Sequence, residues 1–129
     1  MTRLCVATTS VPGDLRRKID LIAAAGFTGV EIHEPDLTGY AGTAKDIGAH
    51  ARALGLSVDL LQPFHEFEGL PERARAGAFA RLYHKLDLMQ DLGASTLLVG
   101  TTTHPAATSD MSSVVRDLSE LASRTGQAG

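Results

Sequence analysis

The sequence holds a single cysteine, Cys5, and therefore no partner for an intrachain disulfide, which is consistent with a reducing compartment. Cys5 falls in an apolar run and is expected to be a buried strand residue, a small hydrophobe and not a nucleophile. No stretch approaches the roughly 18 consecutive apolar residues that span a bilayer, and Met1 to Ser10 contain no long apolar run ahead of a small-residue cleavage site. A soluble, cytoplasmic protein with no membrane partner is expected. Acidic and basic residues are interspersed at a net charge of −3, so there is neither a basic stripe to neutralise a phosphate backbone nor an acidic tail. Nucleic acid is not an expected partner. A phosphate-cradling glycine loop is missing too: Gly39, Gly42 and Gly48 do not make a G-x-G-x-x-G after a strand, and Walker and Cys-x-x-Cys patterns are absent.

What is present is a regular alternation of strands and helices. A chain of 129 residues with 43% apolar composition can bury one core. Leu4 to Thr8, Gly29 to His33, Ser57 to Leu61 and Thr96 to Val99 are short and rich in Val, Leu and Ile, as expected of parallel strands covered by helices. Between them, helical spacing sets Leu15, Ile19, Ile22 and Ala23 on one face, then Ile47, Ala51 and Leu54, then Phe79, Leu82, Tyr83, Leu86 and Met89. A last helix starts from a Ser109-Asp110 cap, carries Val114, Val115, Leu118 and Leu121, and ends near Gly126.

One device recurs at helix ends. Gly26-Phe27-Thr28, Gly55-Leu56-Ser57 and Gly93-Ala94-Ser95 each place a glycine able to turn left-handed, an apolar residue and a short polar one ahead of a strand. A repeating strand-helix-glycine pattern requires parallel strands joined by right-handed crossovers. The fold class expected is therefore α/β, four parallel (β/α) units in strand order 1-2-3-4, the N-terminal half of a TIM barrel over residues 1–129. A full barrel takes about 250 residues, so the chain is expected to be a fragment missing its C-terminal half, or to close a barrel as a homo-oligomer. A flat, doubly wound, flavodoxin-like module binding a small ligand is the competing fold.

In either fold the reactive groups collect where strands end. Those places hold Thr8, Thr9 and Ser10; Glu31 to Asp36; Gln62 to Gly69; and Gly100 to His104. Polar residues crowd these ends, while the opposite ends carry only structural glycine turns. On the second strand, alternation sets Val30 and Ile32 against helices and turns Glu31 and His33 to the other face. A carboxylate there must be paired, bind a polar ligand, or make a structural hydrogen bond to a neighbouring strand. His65, beside Glu66 and Glu68, suits acid-base work or a metal, or else belongs to a solvated acidic loop. His104 follows the fourth strand and is a weaker candidate. His50 and His84 fall within helices as surface or packing residues.

The segments 23–37, 59–69 and 85–94, with Gly-Phe-Thr-Gly-Val-Glu and Gln-Pro-Phe-His-Glu-Phe-Glu-Gly at their centres, resemble the N-terminal half of bacterial 3-dehydroshikimate dehydratases. Those enzymes are xylose-isomerase-like barrels of the sugar phosphate isomerase/epimerase superfamily. The resemblance implies a metal-dependent lyase or isomerase acting on a polyhydroxylated keto acid or sugar, foremost the dehydration of 3-dehydroshikimate to protocatechuate. Sugar phosphate isomerase/epimerase and hydroxypyruvate isomerase activity are the related alternatives. It implies a divalent Mg, Mn or Co ion whose ligands lie beyond residue 129, so no residue of this chain is assigned to metal. His65 is then the expected catalytic residue, with Glu31, Glu34, Gln62, Glu66 and His104 on the substrate side and a small molecule as partner. Where the dehydratases carry arginine and aspartate, this chain has His65-Glu66, a titratable cation in place of a fixed one. The 129-residue chain alone is expected to lack turnover.

Overall fold

The computed structural model describes residues 2–128. Four strands, β1 (Cys5–Ala7), β2 (Gly29–His33), β3 (Ser57–Phe64) and β4 (Thr96–Val99), form one sheet in the order β1-β2-β3-β4. β1 with β2 and β2 with β3 are parallel. The helices are α1 (Leu15–Ala24), α2 (Glu34–Thr38), α3 (Ala44–Ala53), α4 (Glu72–Leu92) and α5 (Met111–Ala128). This is the expected sequential order. It excludes the flavodoxin-like alternative, which would set the first strand between the second and third.

The chain divides into two compact units, one holding the residues up to Pro63 with Leu88–Leu98, the other Phe64–Asp87 with the residues from Val99 on. In the first unit one sheet face is covered. Val30, Ile32, Val58 and Leu61 pack with Leu15, Ile19 and Ile22 of α1, Ile47 and Ala51 of α3, and Leu92. The helix starts that deliver these faces are capped: Asp14 accepts the Arg17 amide, and Thr43 with Asp46 makes a reciprocal capping box. Gly26, Gly55 and Gly93 all turn left-handed, with φ of 86°, 78° and 76°, as the repeated device requires.

A one-residue bulge sets the register of β3. Val30 pairs with Val58 but Glu31 with Leu60, which leaves Asp59 as the extra residue. Val58 and Leu61 can therefore both reach the covered face, while Leu60 and Gln62 stay half-buried beside Glu31 and His33. Strict alternation would not have allowed this.

The second unit has its own apolar centre. The rings of Phe64 and Phe67 lie 5.7 Å apart, those of Phe67 and Phe79 5.3 Å apart and edge-on, and Leu70, Leu82 and Leu121 are also buried.

Several expectations are corrected. Cys5 is exposed, at the start of the edge strand β1. β3 runs on to Phe64. Glu34-Pro35-Asp36, expected at the end of the second strand, forms the first turn of α2, where proline loses no hydrogen bond and two acids meet the positive helix end. Leu54, Tyr83, Val115 and Leu118 are exposed, not buried; Leu54 caps the C-terminal end of α3 and is no longer part of its helical face.

Gly48 shows how tightly the first unit is packed. A Cβ there would come within 2.6 Å of the Leu92 carbonyl oxygen and 2.8 Å of that of Asp91, whereas one on Gly77 in α4 meets nothing within 4 Å. Alanine favours helix over glycine by about 1 kcal/mol, but forcing a methyl into a packed contact costs about 1–3 kcal/mol. Gly77→Ala is expected to stabilise by about 0.5–1 kcal/mol, and Gly48→Ala to destabilise by about 1 kcal/mol or more. Urea midpoints measure both, and a stabilising Gly48→Ala would refute the contact.

Candidate functional site

The first unit carries three of the expected site residues. The Gln62 side-chain amide donates to a Glu31 carboxylate oxygen across β2 and β3, a pairing set up by the bulge. The structural hydrogen bond foreseen for Glu31 is thus present, on a residue that is half-buried. Glu34 opens α2. Around them, the Thr8 hydroxyl, fully buried, accepts the His33 amide at 3.0 Å, and Lys18 of α1 pairs with Asp36 at 3.0 Å. Lys18 sits among Leu15, Ile19 and Ile22 on the buried side of its helix. A lysine inside an apolar stripe is the signal by which that pair could have been anticipated.

The second unit holds His65, Glu66 and His104. Glu66 takes a left-handed conformation, φ 57°, uncommon outside glycine, at the turn that follows β3. Its carboxylate accepts the Thr103 amide at 3.0 Å, the Thr103 hydroxyl at 2.9 Å and the Thr102 hydroxyl at 3.0 Å. These bonds, led by the Thr103 amide, hold the Glu66 carboxyl below the usual carboxylate range, with a smaller contribution from His104. Arg81 donates to the Glu66 carbonyl at 2.6 Å. Glu68 accepts the Thr102 amide at 2.7 Å, and the Gly69 carbonyl accepts the Thr108 amide at 2.8 Å. The turn after β3 and the segment after β4 are thereby laced together, an arrangement that strand-end counting did not foresee.

His65 is exposed and lies against the backbone that starts this segment. A Cβ on Gly100 would come within 2.2 Å of its Cε1 and 2.3 Å of its Nδ1. Gly100 is itself held by its amide, which donates to the Phe64 carbonyl at 2.9 Å. Because the crowded atoms belong to an exposed side chain, Gly100→Ala is expected to turn the imidazole away while moving stability by less than about 0.5 kcal/mol. Two-dimensional spectra of the His65 ring check this, and unchanged ring shifts would refute the packing. His104 is also exposed, but its Nδ1 accepts the Ala106 amide at 3.1 Å, so one ring nitrogen is engaged by its own turn.

A buried ion-pair network underlies the same turn. Asp117 of α5, fully buried, accepts the Gly69 amide at 2.8 Å, Arg116 at 2.9 Å, and Arg75. An acid on the buried side of a helix, between Val114 and Leu121, was its sequence signal.

Among the described residues no three His, Cys, Asp or Glu side chains gather as metal ligands. The described residues do not by themselves fit the divalent ion that the resemblance implies. Nor is any helix among them long and apolar enough to cross a membrane.

Comparison with known proteins gives one family: residues 19–129 match the model of the xylose isomerase-like TIM barrel. The chain is 40% identical over 124 residues to the 3-dehydroshikimate dehydratases of Pseudomonas putida and Pseudomonas aeruginosa, covering 96% of this chain. It spans about a fifth of the length of these curated relatives. Among solved structures it superposes on a xylose isomerase-like TIM barrel/4-hydroxyphenylpyruvate dioxygenase fusion protein with a TM-score of 0.96 at 38% identity, covering 99% of this chain and 21% of that one. An IOLI protein described with a binding zinc atom gives a TM-score of 0.81 at 15% identity, covering 99% of this chain and 49% of that one, a likeness of fold alone.

Proposed function

Because this chain belongs to the xylose isomerase-like TIM barrel family, we propose that it is the N-terminal part of a lyase that dehydrates 3-dehydroshikimate to protocatechuate. The similarity to 3-dehydroshikimate dehydratases along nearly the whole chain carries this reading. The reaction removes a proton from the carbon beside the ketone and expels a hydroxyl as water, and the aromatic ring of the product drives it forward. The chain's own contribution is to hold the substrate and handle a proton. His65, whose imidazole can both accept and donate a proton, is the proposed carrier. Glu31, Glu34, Gln62, Glu66 and His104 are the proposed substrate-side groups. For Glu31 and Gln62 the reading is supported by their bond, which leaves a carboxylate oxygen and an amide carbonyl to meet hydroxyls. For Glu66, whose carboxylate is already met by Thr102 and Thr103, the contribution is to hold the segment after β4.

The partner proposed is a small molecule in the cytoplasm. The test is turnover: the protein that contains these residues is assayed with 3-dehydroshikimate, with and without added Mn²⁺ or Mg²⁺, and protocatechuate is followed by its absorbance. Product formation is expected, and none under any of these conditions would overturn the reading.

A further inference from the structure

In the second unit, the turn after β3 and the segment leading to α5 border an open cleft of about 430 Å³. A water molecule occupies about 30 Å³ of liquid, so this space is ligand-sized, toward the lower end of the range for small-molecule sites. Its wall includes Glu68, Thr101, His104, Thr108 and Ser109. Glu68 is only 7% exposed. One of its carboxylate oxygens accepts the Thr102 amide at 2.7 Å, while the other, Oε2, is buried with no hydrogen-bond partner. A buried acceptor left unmatched costs about 1–3 kcal/mol, and more if charged, so a donor is due at Oε2.

No lysine or arginine lines the cavity, and no described residue provides that donor. An anionic group entering it would face the Glu68 carboxylate with no lysine or arginine beside it; the one basic side chain on the wall, His104, is exposed and has its Nδ1 taken by the Ala106 amide. The Thr101 and Ser109 hydroxyls make no side-chain hydrogen bond among the described residues. A wall of one acceptor-only carboxylate and uncommitted hydroxyls, each able both to donate and to accept, is complementary to a neutral molecule carrying several hydroxyls. We propose that this cavity is a polyol-binding site in which Glu68 accepts the proton of a ligand hydroxyl and Thr101 and Ser109 bond its neighbours. In the enzyme it grips the hydroxyl-bearing part of the substrate; that last step alone rests on the reading of the preceding subsection.

The probe is myo-inositol, a neutral cyclic polyol, titrated into the isotopically labelled chain while the amides of Thr101 to Ser109 are followed. Saturable shifts are expected, with a dissociation constant on the order of millimolar. Glu68→Gln exchanges the free acceptor for a donor and should weaken binding by roughly tenfold or more. Thr101→Val keeps the side chain's shape, breaks no internal bond, and should weaken it severalfold. If Glu68→Gln fails to fold, Thr101→Val decides. Absent shifts up to about 100 mM, unchanged affinity in Thr101→Val, or equal shifts with inorganic phosphate would overturn the proposal. Inositol binding without turnover of 3-dehydroshikimate would keep the cavity's role and remove the dehydratase reading. Turnover without inositol binding would do the reverse.

Discussion

Asp117→Ala is expected to destabilise the chain by about 3–5 kcal/mol, the range for removing one partner from a buried ion pair. The carboxylate is fully buried and meets donors on every side: the Gly69 amide, the Arg116 guanidinium and Arg75. Alanine leaves the Gly69 amide without its acceptor. It also leaves Arg75, itself largely buried, with Glu120 and the more distant Glu72, 3.5 Å away, as its carboxylate partners among the described residues. Asp117→Asn keeps an acceptor for Gly69 while losing the charge, so its loss should be smaller. Urea denaturation at constant slope measures both, and a loss under about 1 kcal/mol in the alanine variant would contradict the network.

The pH dependence of that stability has a definite sign. Burial pushes the Asp117 carboxyl upward, but the bonds from Gly69, Arg116 and Arg75, with the charge of Arg75, outweigh it and hold the group below the usual carboxylate range. A group depressed in the folded state contributes stability above its unfolded pKa and loses it as pH falls through the folded one. The native chain should therefore weaken in acid, below the ordinary aspartate range, and Asp117→Ala should weaken less steeply there. Parallel acid limbs for the two proteins would refute the assignment.

His65→Ala is expected to lower kcat for protocatechuate formation by about 10²–10⁴-fold, the usual contribution of a positioned acid-base group. Of the two histidines in the second unit's strand-end segments, His104 has one nitrogen occupied by the Ala106 amide, whereas the His65 ring is exposed and steadied against Gly100. The variant should also lose the limb of the pH-rate profile that reports an imidazole, a change that a merely structural residue would not produce. A fall of less than about tenfold in kcat, or an unaltered profile, would remove His65 from the proton transfer. Gly100→Ala offers an independent check, since it should reduce kcat by displacing the ring while leaving the fold intact.

The candidate site was partly legible in the sequence. Polar residues at strand ends named Glu31, Gln62, His65, Glu66 and His104, because parallel strands must place their loops at one end. Roles were harder to read. That Glu66 is tied to Thr102 and Thr103, and Glu68 to Thr102, depends on two segments more than thirty residues apart in sequence being brought together, which no local spacing encodes. The β3 bulge was hidden for a related reason: the apolar residues Val58, Leu60 and Leu61 fit several registers, and only pairing with β2 selects one.

Periodicity by itself determined the α/β class, the four parallel strands, their sequential order as one of two alternatives, and the left-handed glycine turns, because these follow from repeats of 3.6 and 2 residues and from φ limits that each residue carries with it. Only the tertiary structure decided that the order is β1-β2-β3-β4, that Cys5 is exposed, that Asp117 anchors the Gly69 turn, and that Glu68 is left with an unmatched oxygen. Those features are properties of pairs distant in the chain, and the energy that settles them, hydrogen bonding and desolvation on burial, exists only once the pair has met.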